Sequence, residues 1–434
     1  MKQVQSWGRV GSSHPASVLR LTWRHAALSS AQTAPKPWLA FGRGRSYGDV
    51  CLNAGGTLLQ MAGLDRFIAF DNANGVLRCE AGVTLGEILA LVVPQNLFLS
   101  VTPGTREATV GGAIANDVHG KNHHAKGTFG HHVLRFELVR STGERLVCSV
   151  QDNCELFAAT IGGLGLTGLI TWAEIQLDPI ANPYMEVETT RFADLDTFWS
   201  LNAQAQMNWP YTVAWIDCVA QGSIQGRGVL ITGRHAAPQS KLPNWKERHR
   251  TVPLDPPLSL VNGLSLRVFN TLYWHMARSG RSLSHYVPYF YPLDALRHWN
   301  RIYGRAGFYQ YQCVLPPENM RESIAALLQR IARSGQGSFL AVLKTFGTIA
   351  SLGMMSFPRP GATLALDFAN KGQATLRLFE ELDSVVKDAG GAVYPAKDAR
   401  MSPTMFRASF PLWERFANYI DPAFSSDFWR RVTA

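Results

Sequence analysis

A chain of 434 residues with 46% hydrophobic and 11% aromatic side chains can bury a large core in two or three domains, which excludes wholesale disorder. Lys and Arg total 42 against 32 Asp and Glu, and the net charge of +10 favours an anionic partner. That charge is dispersed without a long basic block, so no nucleic-acid partner is expected.

Met1 to Arg20 has no apolar signal-peptide core. The most apolar run, Ile88 to Leu99, is interrupted by Pro94 and is too short to span a bilayer. Six cysteines (51, 79, 148, 154, 218 and 313) contain no Cys-x-x-Cys pair. They suggest neither a disulfide framework nor a zinc finger, and they fit a reducing compartment. The expectation is a protein that is cytoplasmic or peripheral to the inner membrane, with no signal peptide and no transmembrane helix.

In chain order, Trp38–Phe41, Thr57–Met61, Gly75–Glu80, Arg135–Arg140 and Leu169–Leu177 read as strands. Thr84 to Pro94 reads as a helix, with Thr84 as N-cap and Glu87 three residues on. After about Pro183 the texture changes. Tyr211–Cys218, Tyr309–Val314, Phe339–Lys344 and Thr363–Phe368 read as strands of an antiparallel sheet, and Ser323–Arg333 and Ala374–Ala389 have helical periodicity. The fold class is therefore α+β in two units. Within the second unit, between its strands, 241–281 is basic in its first half and apolar in its second (Leu258, Leu260, Leu264, Val268, Phe269, Leu272). It reads either as a core-packing excursion or as a mobile lid or membrane-contacting insertion.

The Gly-rich segments carry the chemistry. Gly42-Arg43-Gly44-Arg45-Ser46-Tyr47-Gly48 follows a strand, but its third Gly is one place late and strand, not helix, follows, so a nicotinamide fingerprint is weak. Thr102-Pro103-Gly104-Thr105 and Thr109-Val110-Gly111-Gly112 offer hydroxyls and clustered amides that suit a pyrophosphate. Asp117-Val118-His119-Gly120-Lys121-Asn122-His123-His124 comes next, and Gly162-Gly163-Leu164-Gly165-Leu166-Thr167-Gly168 enters a strand. Together these loops suggest a large phosphate-bearing cofactor wrapped by backbone.

This order of motifs resembles the vanillyl-alcohol-oxidase-type FAD-linked oxidases and, within them, the members that act on polyprenylphosphoryl ribose. Phe290-Tyr291-Pro292-Leu293-Asp294, Leu343-Lys344-Thr345-Phe346-Gly347 and Tyr394-Pro395-Ala396-Lys397-Asp398 continue the resemblance over nearly the whole chain. It implies a two-domain FAD-binding (PCMH/VAO-type) fold with an antiparallel-sheet substrate domain. The FAD domain would span 1–182, the substrate domain 183–390, and 391–434 would return to the FAD domain.

The same resemblance implies that Gly42, Arg43, Gly44, Arg45, Ser46, Tyr47, Thr102, Gly104, Thr105, Thr109, Gly111, Gly112, His119, Gly162, Gly168 and Tyr394 hold FAD. Lys397, His119 and Tyr47 would be catalytic, and Lys121, Trp215, Gln312, Lys344, Phe346 and Lys397 would bind substrate. Many relatives tether flavin to a His where this chain has Arg45, and no Cys lies between Cys79 and Cys148, so the FAD is expected to be non-covalent. Ala365 stands where well-known members carry a pocket cysteine.

The implied reaction is FAD-dependent oxidation of the ribose 2′-hydroxyl of a lipid-linked phospho-sugar, a polyprenylphosphoryl-β-D-ribose, to the 2-keto sugar. An NAD(P)H-dependent short-chain reductase would complete an epimerisation to arabinose, and peripheral membrane contact is an open expectation. The alternatives are an oxidase of a free polyol or sugar lactone, and a non-enzymatic flavin- or nucleotide-binding protein. His119 and His123 have i, i+4 spacing, but helix is not expected between Gly120 and Gly127 and no carboxylate follows at ligand spacing, so no metal site is expected.

Overall fold

The computed structural model describes residues 4–11, 13–239, 241–257 and 259–434; Leu258 lies outside the described residues. Ser17–Arg20, Thr57–Gln60 and Trp38–Phe41 form a parallel three-stranded sheet with Thr57–Gln60 in the middle. A second sheet has six strands. Its main path runs Phe67–Asp71, Val76–Glu80, Leu169–Pro179, Val133–Val139, Arg145–Ser149, with Leu97–Leu99 paired to the far end of Leu169–Pro179. The helix Leu85–Val92 starts where the sequence places it. Thr84 Oγ1 accepts from the Glu87 N–H at 3.2 Å, and the Glu87 carboxylate accepts from the Thr84 N–H at 2.7 Å, closing a capping box.

The second half is built on an eight-stranded antiparallel sheet. Its order is Gly280–His285, Tyr184–Phe192, Gly228–His235, Tyr211–Ile216, Val342–Phe346, Gly361–Ala369, Phe308–Leu315, Ala392–Val393. Side chains alternate across it. Leu364, Leu366 and Phe368 are buried on one face against the helices Met320–Ser334 and Gln373–Asp388, which present Ile324, Leu327, Leu328 and Ile331, and Leu378, Phe379, Leu382 and Val386. That spacing of three and four residues makes one apolar stripe per helix. Thr363, Ala365 and Asp367 point the other way, into a cavity.

Three local expectations differ from the structure. The strand expected at Phe339–Lys344 lies at Val342–Phe346. The Trp215 indole N–H donates to the Phe339 carbonyl at 2.9 Å, and the ladder with Tyr211–Ile216 pairs Trp215 with Val342. A one-turn helix forms at His123–Lys126, because the Asn122 carbonyl accepts from both Ala125 and Lys126 and Gly127 (φ +71°) ends the turn instead of preventing it. His119 lies outside that turn, in a bridge to Thr128, so His119 and His123 do not share a helix face.

The third difference is at the C-terminal return. Ala392–Val393 still belongs to the eight-stranded sheet, beyond the expected boundary at 390. The tail then reaches the first sheet: the Trp38 N–H donates to Ala423 O at 2.6 Å, the Ser425 N–H donates to Trp38 O at 3.0 Å, and Arg431 pairs with Asp49 at 2.8 Å.

Candidate active site

One cavity of about 950 Å³ runs from the Gly-rich loops to the inner face of the eight-stranded sheet. That is the size of a site for a large cofactor together with part of a substrate. The loop end is walled by Gly42 to Tyr47, Thr102 to Thr109, Gly111, Gly112, Gly165 and Gly168. Thr109 caps the helix Val110–Ala115, its Oγ1 accepting from the Gly112 N–H at 3.2 Å. A Cβ on Gly42 would stand 2.7 Å from that same Oγ1, so the two loops touch only because residue 42 has no side chain.

These walls fit a pyrophosphate-bearing group. The backbone N–H groups of Arg43, Gly44, Arg45 and Ser46 have no acceptor among the described residues. Gly104 and Gly165 face the cavity with nothing within 4 Å of where a Cβ would sit. The Asn116 Oδ1 is buried at the wall without a donor. A buried polar atom such as Asn116 Oδ1 is normally satisfied, and unpaired loop amides at half-exposed positions such as Gly44 to Ser46 suit an anion, so these walls fit a phosphate-bearing ligand.

The sheet end collects charge. Successive inward positions bring together Val213 and Trp215, Val342 and Lys344, Thr363, Ala365 and Asp367, and Gln310 and Gln312 on four neighbouring strands. Lys344 Nζ donates to Gly120 O at 3.0 Å and lies 2.9 Å from His119 Nδ1. Burial lowers the Lys344 amine to about 7, helped by Lys121 and Lys397 nearby. Lys121 donates to Tyr289 O, lies over the Tyr289 ring at 4.2 Å, and is lowered by burial to about 7.

His119 is held neutral, well below the ordinary imidazole range, first by burial and then by the charge of Lys344. Its Nε2 is 3.1 Å from the Gln312 amide nitrogen, and its ring packs on Phe346 at 4.8 Å. A neutral ring has one donor and one acceptor nitrogen: with Nε2 accepting from the Gln312 amide, Nδ1 carries the proton and donates to Lys344 when that amine is the free base.

Lys397 Nζ lies 4.0 Å over the Tyr47 ring. Among the described residues, its amine has no hydrogen-bond acceptor, unlike those of Lys121 and Lys344. Burial lowers its range, and Asp367 opposes that. Asp367 is itself buried and raised by burial, and its Oδ1 accepts from Gln310 Nε2 at 2.6 Å. Burial, reinforced by Asp367, pushes the Tyr47 phenol well above its ordinary range.

Most of the residues singled out in the sequence meet at this cavity. Two do not line it. Gly162 (φ +71°) makes a turn packed on Ser356, with its N–H on Ile114 O, so it shapes the loop rather than the wall. Phe346 sits behind His119 and supports that ring. Ala365 lies at the wall, paired across strands with Gln312 and Val342.

Asn116, Gln310, Asp367 and Trp7 line the cavity without having been singled out. Gln310 and Asp367 lie two residues from Gln312 and Ala365, and strand alternation puts each on the same face as its neighbour. Nothing local in the sequence marks Trp7, whose ring carries the Arg45 guanidinium at 4.4 Å.

Comparison with known proteins points the same way. A family model described as an FAD binding domain matches residues 25–149. The decaprenylphosphoryl-β-D-ribose oxidase of Mycolicibacterium smegmatis is 34% identical, across 99% of this chain and 97% of that protein. An uncharacterized Streptomyces coelicolor protein is 32% identical across 81% of this chain and all of its own length. The human Δ(24)-sterol reductase is 31% identical across 29% of this chain and 24% of its own. The near-complete match and the Gly-lined cavity agree that this is an FAD-dependent oxidoreductase, and the chain belongs to the decaprenylphosphoryl-β-D-ribose oxidase family.

Proposed function

We propose that the chain oxidises the 2′-hydroxyl of a polyprenylphosphoryl-β-D-ribose to the 2-keto sugar, with FAD held without a covalent tether. The observation that carries this reading is a single cavity joining the phosphate-ready loops to a cluster of three lysines and a neutral histidine. Bound FAD supplies the acceptor for the hydride of the carbinol carbon. Gly42 to Ser46, Thr102 to Thr105 and Thr109 to Gly112 would hold its phosphates, and Asn116 and Tyr394 line the same cavity. The Tyr394 hydroxyl is anchored on Asn116 O at 2.9 Å. Arg45 stands in the place of a histidine tether and cannot form that bond.

Lys397 takes the hydroxyl proton. An amine with a lowered range is free base over more of the neutral region, and it has no competing acceptor among the described residues. Tyr47 stays protonated and gives Lys397 an aromatic floor. Lys121 and Lys344 hold the substrate phosphate as point charges, and His119 and Gln312 fix Lys344 and orient the ribose. Trp215 closes the sheet end of the pocket. We assign 1–182 and the C-terminal return to the cofactor and the segment between them to the substrate. The keto product calls for an NADH- or NADPH-dependent reductase to complete the epimerisation.

Lys397→Ala tests the assignment. We expect FAD absorbance to be retained and turnover of prenylphosphoryl ribose to fall by about 10²-fold or more. Full turnover by that variant would overturn the role of Lys397. Turnover of a free polyol or sugar lactone in preference to the lipid-linked sugar would overturn the substrate class.

A further inference from the structure

The helix Gly263–Met276 is mounted with a polar residue inward. Asn270 is fully buried and donates to Asp217 Oδ1 at 2.9 Å, and the Trp274 indole N–H donates to Phe192 O at 3.1 Å. Leu266 is the one large apolar side chain of the helix that is buried. Leu264, Val268, Leu272 and Met276, spaced by four, form an outward stripe with exposures of 74, 52, 54 and 75%. Leu260 and Leu254, at 57 and 76%, extend it. Folding alone buries such a stripe, so an apolar face turned outward over a buried asparagine marks a surface with a partner.

Two observations identify that partner. Residues 241–281 hold seven Lys or Arg against two acids, half of the net charge of +10 on under a tenth of the chain. An apolar stripe in a segment this rich in cations, among them Arg267 exposed on the helix itself, with Arg281 alone of the seven paired to a carboxylate among the described residues (Glu188), matches an anionic lipid surface, whose headgroups take cations while its acyl region takes leucines. The helix has 14 residues, and no helix among the described residues is long and apolar enough to cross a membrane, so it would lie in the interface. The same helix also reaches the active site: Tyr273 lines the cavity, with its ring 4.6 Å from that of Trp215.

We propose that this face docks on an anionic phospholipid bilayer and sets the Trp215–Tyr273 side of the cavity toward the lipid, so that a prenyl chain enters without crossing water. The docking rests on the helix and its charge; the purpose of the docking rests on the lipid-linked substrate proposed above.

The test is flotation of the full FAD-loaded chain with phosphatidylcholine vesicles, with and without phosphatidylglycerol. We expect wild type to float with the anionic vesicles and to be released by salt. The double variant Leu264→Glu/Leu272→Glu should partition at least about tenfold less. It should still turn over a prenylphosphoryl ribose whose chain is short enough to stay in solution.

Wild type that fails to float, or a variant that floats equally well, overturns the proposal. So does a variant whose only defect is loss of self-association in sedimentation velocity, because the occupant would then be a second copy of the chain. If flotation behaves as expected but no prenylphosphoryl ribose is oxidised, the docking surface stands and the substrate reading fails.

Discussion

Lys397, Lys344 and Lys121 face one cavity, yet their surroundings give them different work. Lys121 and Lys344 are tied to backbone carbonyls and, among the described residues, Lys397 is not, so its amine is the one assigned to proton transfer. The rate of substrate oxidation should therefore rise with pH through a midpoint below the ordinary 10.5 of a lysine, because burial lowers this amine. In Lys397→Arg that rise should vanish, since a guanidinium does not deprotonate in this range. An unchanged pH profile would exclude Lys397 as the titrating base.

Lys121 and Lys344 lead to a second outcome. Each is near 7 in the fold against 10.5 when unfolded, so the folded chain holds fewer protons than the unfolded one between those values. Their burial costs stability most below pH 7, and that cost is relieved as pH rises. An anion bound between them draws the amines back to the charged form. Binding of a prenyl phosphate at pH 8 should take up protons, and affinity should fall as pH rises. Calorimetry in buffers of different ionisation enthalpy reads this directly; zero proton uptake would place the phosphate elsewhere.

At the level of elements, the site depends on strands that are apolar on one face and functional on the other. Leu364, Leu366 and Phe368 anchor the strand that presents Thr363, Ala365 and Asp367. Leu327→Ala, in the helix behind that strand, should cost about 2–5 kcal/mol by cavity formation, measured by denaturant unfolding with FAD bound. A cost near zero would mean that the helix is not packed as described.

This alternation was legible in the sequence, and so was the capping box at Thr84. The strand at Val342–Phe346 was misplaced because propensity does not report that the Trp215 indole takes the Phe339 carbonyl. The His123–Lys126 turn was missed because glycine was read as a breaker, while here Gly127 serves as a stop. Gly162 belongs to a Gly-rich loop but not to the cavity wall, because glycine density marks loops and not which glycines line a cavity.

Across the whole molecule, the cavity arises where Gly-rich loops from the first 170 residues meet one sheet face from the second half and Lys397 from the C-terminal return. No local window contains that meeting. The motifs could be found in the sequence, but their convergence, and the place of Trp7 and Asp367 in it, depends on long-range packing. The tail helps hold the parts together through Arg431, which pairs with Asp49 at 2.8 Å and Asp398 at 2.9 Å, beside Lys397. Arg431→Ala should lower both FAD retention and turnover, read by absorbance after gel filtration. Normal retention would show that the tail is not needed to hold the cofactor end together.

The most direct test of the central claim is anaerobic mixing of the purified flavoprotein with a polyprenylphosphoryl-β-D-ribose while its visible absorption is followed. The account predicts bleaching of the flavin by the lipid-linked ribose and far less by free ribose or ribitol. After acid precipitation the flavin should be in the supernatant. A flavin that stays oxidised with the lipid-linked sugar, or that is bleached equally by a free polyol, would contradict it.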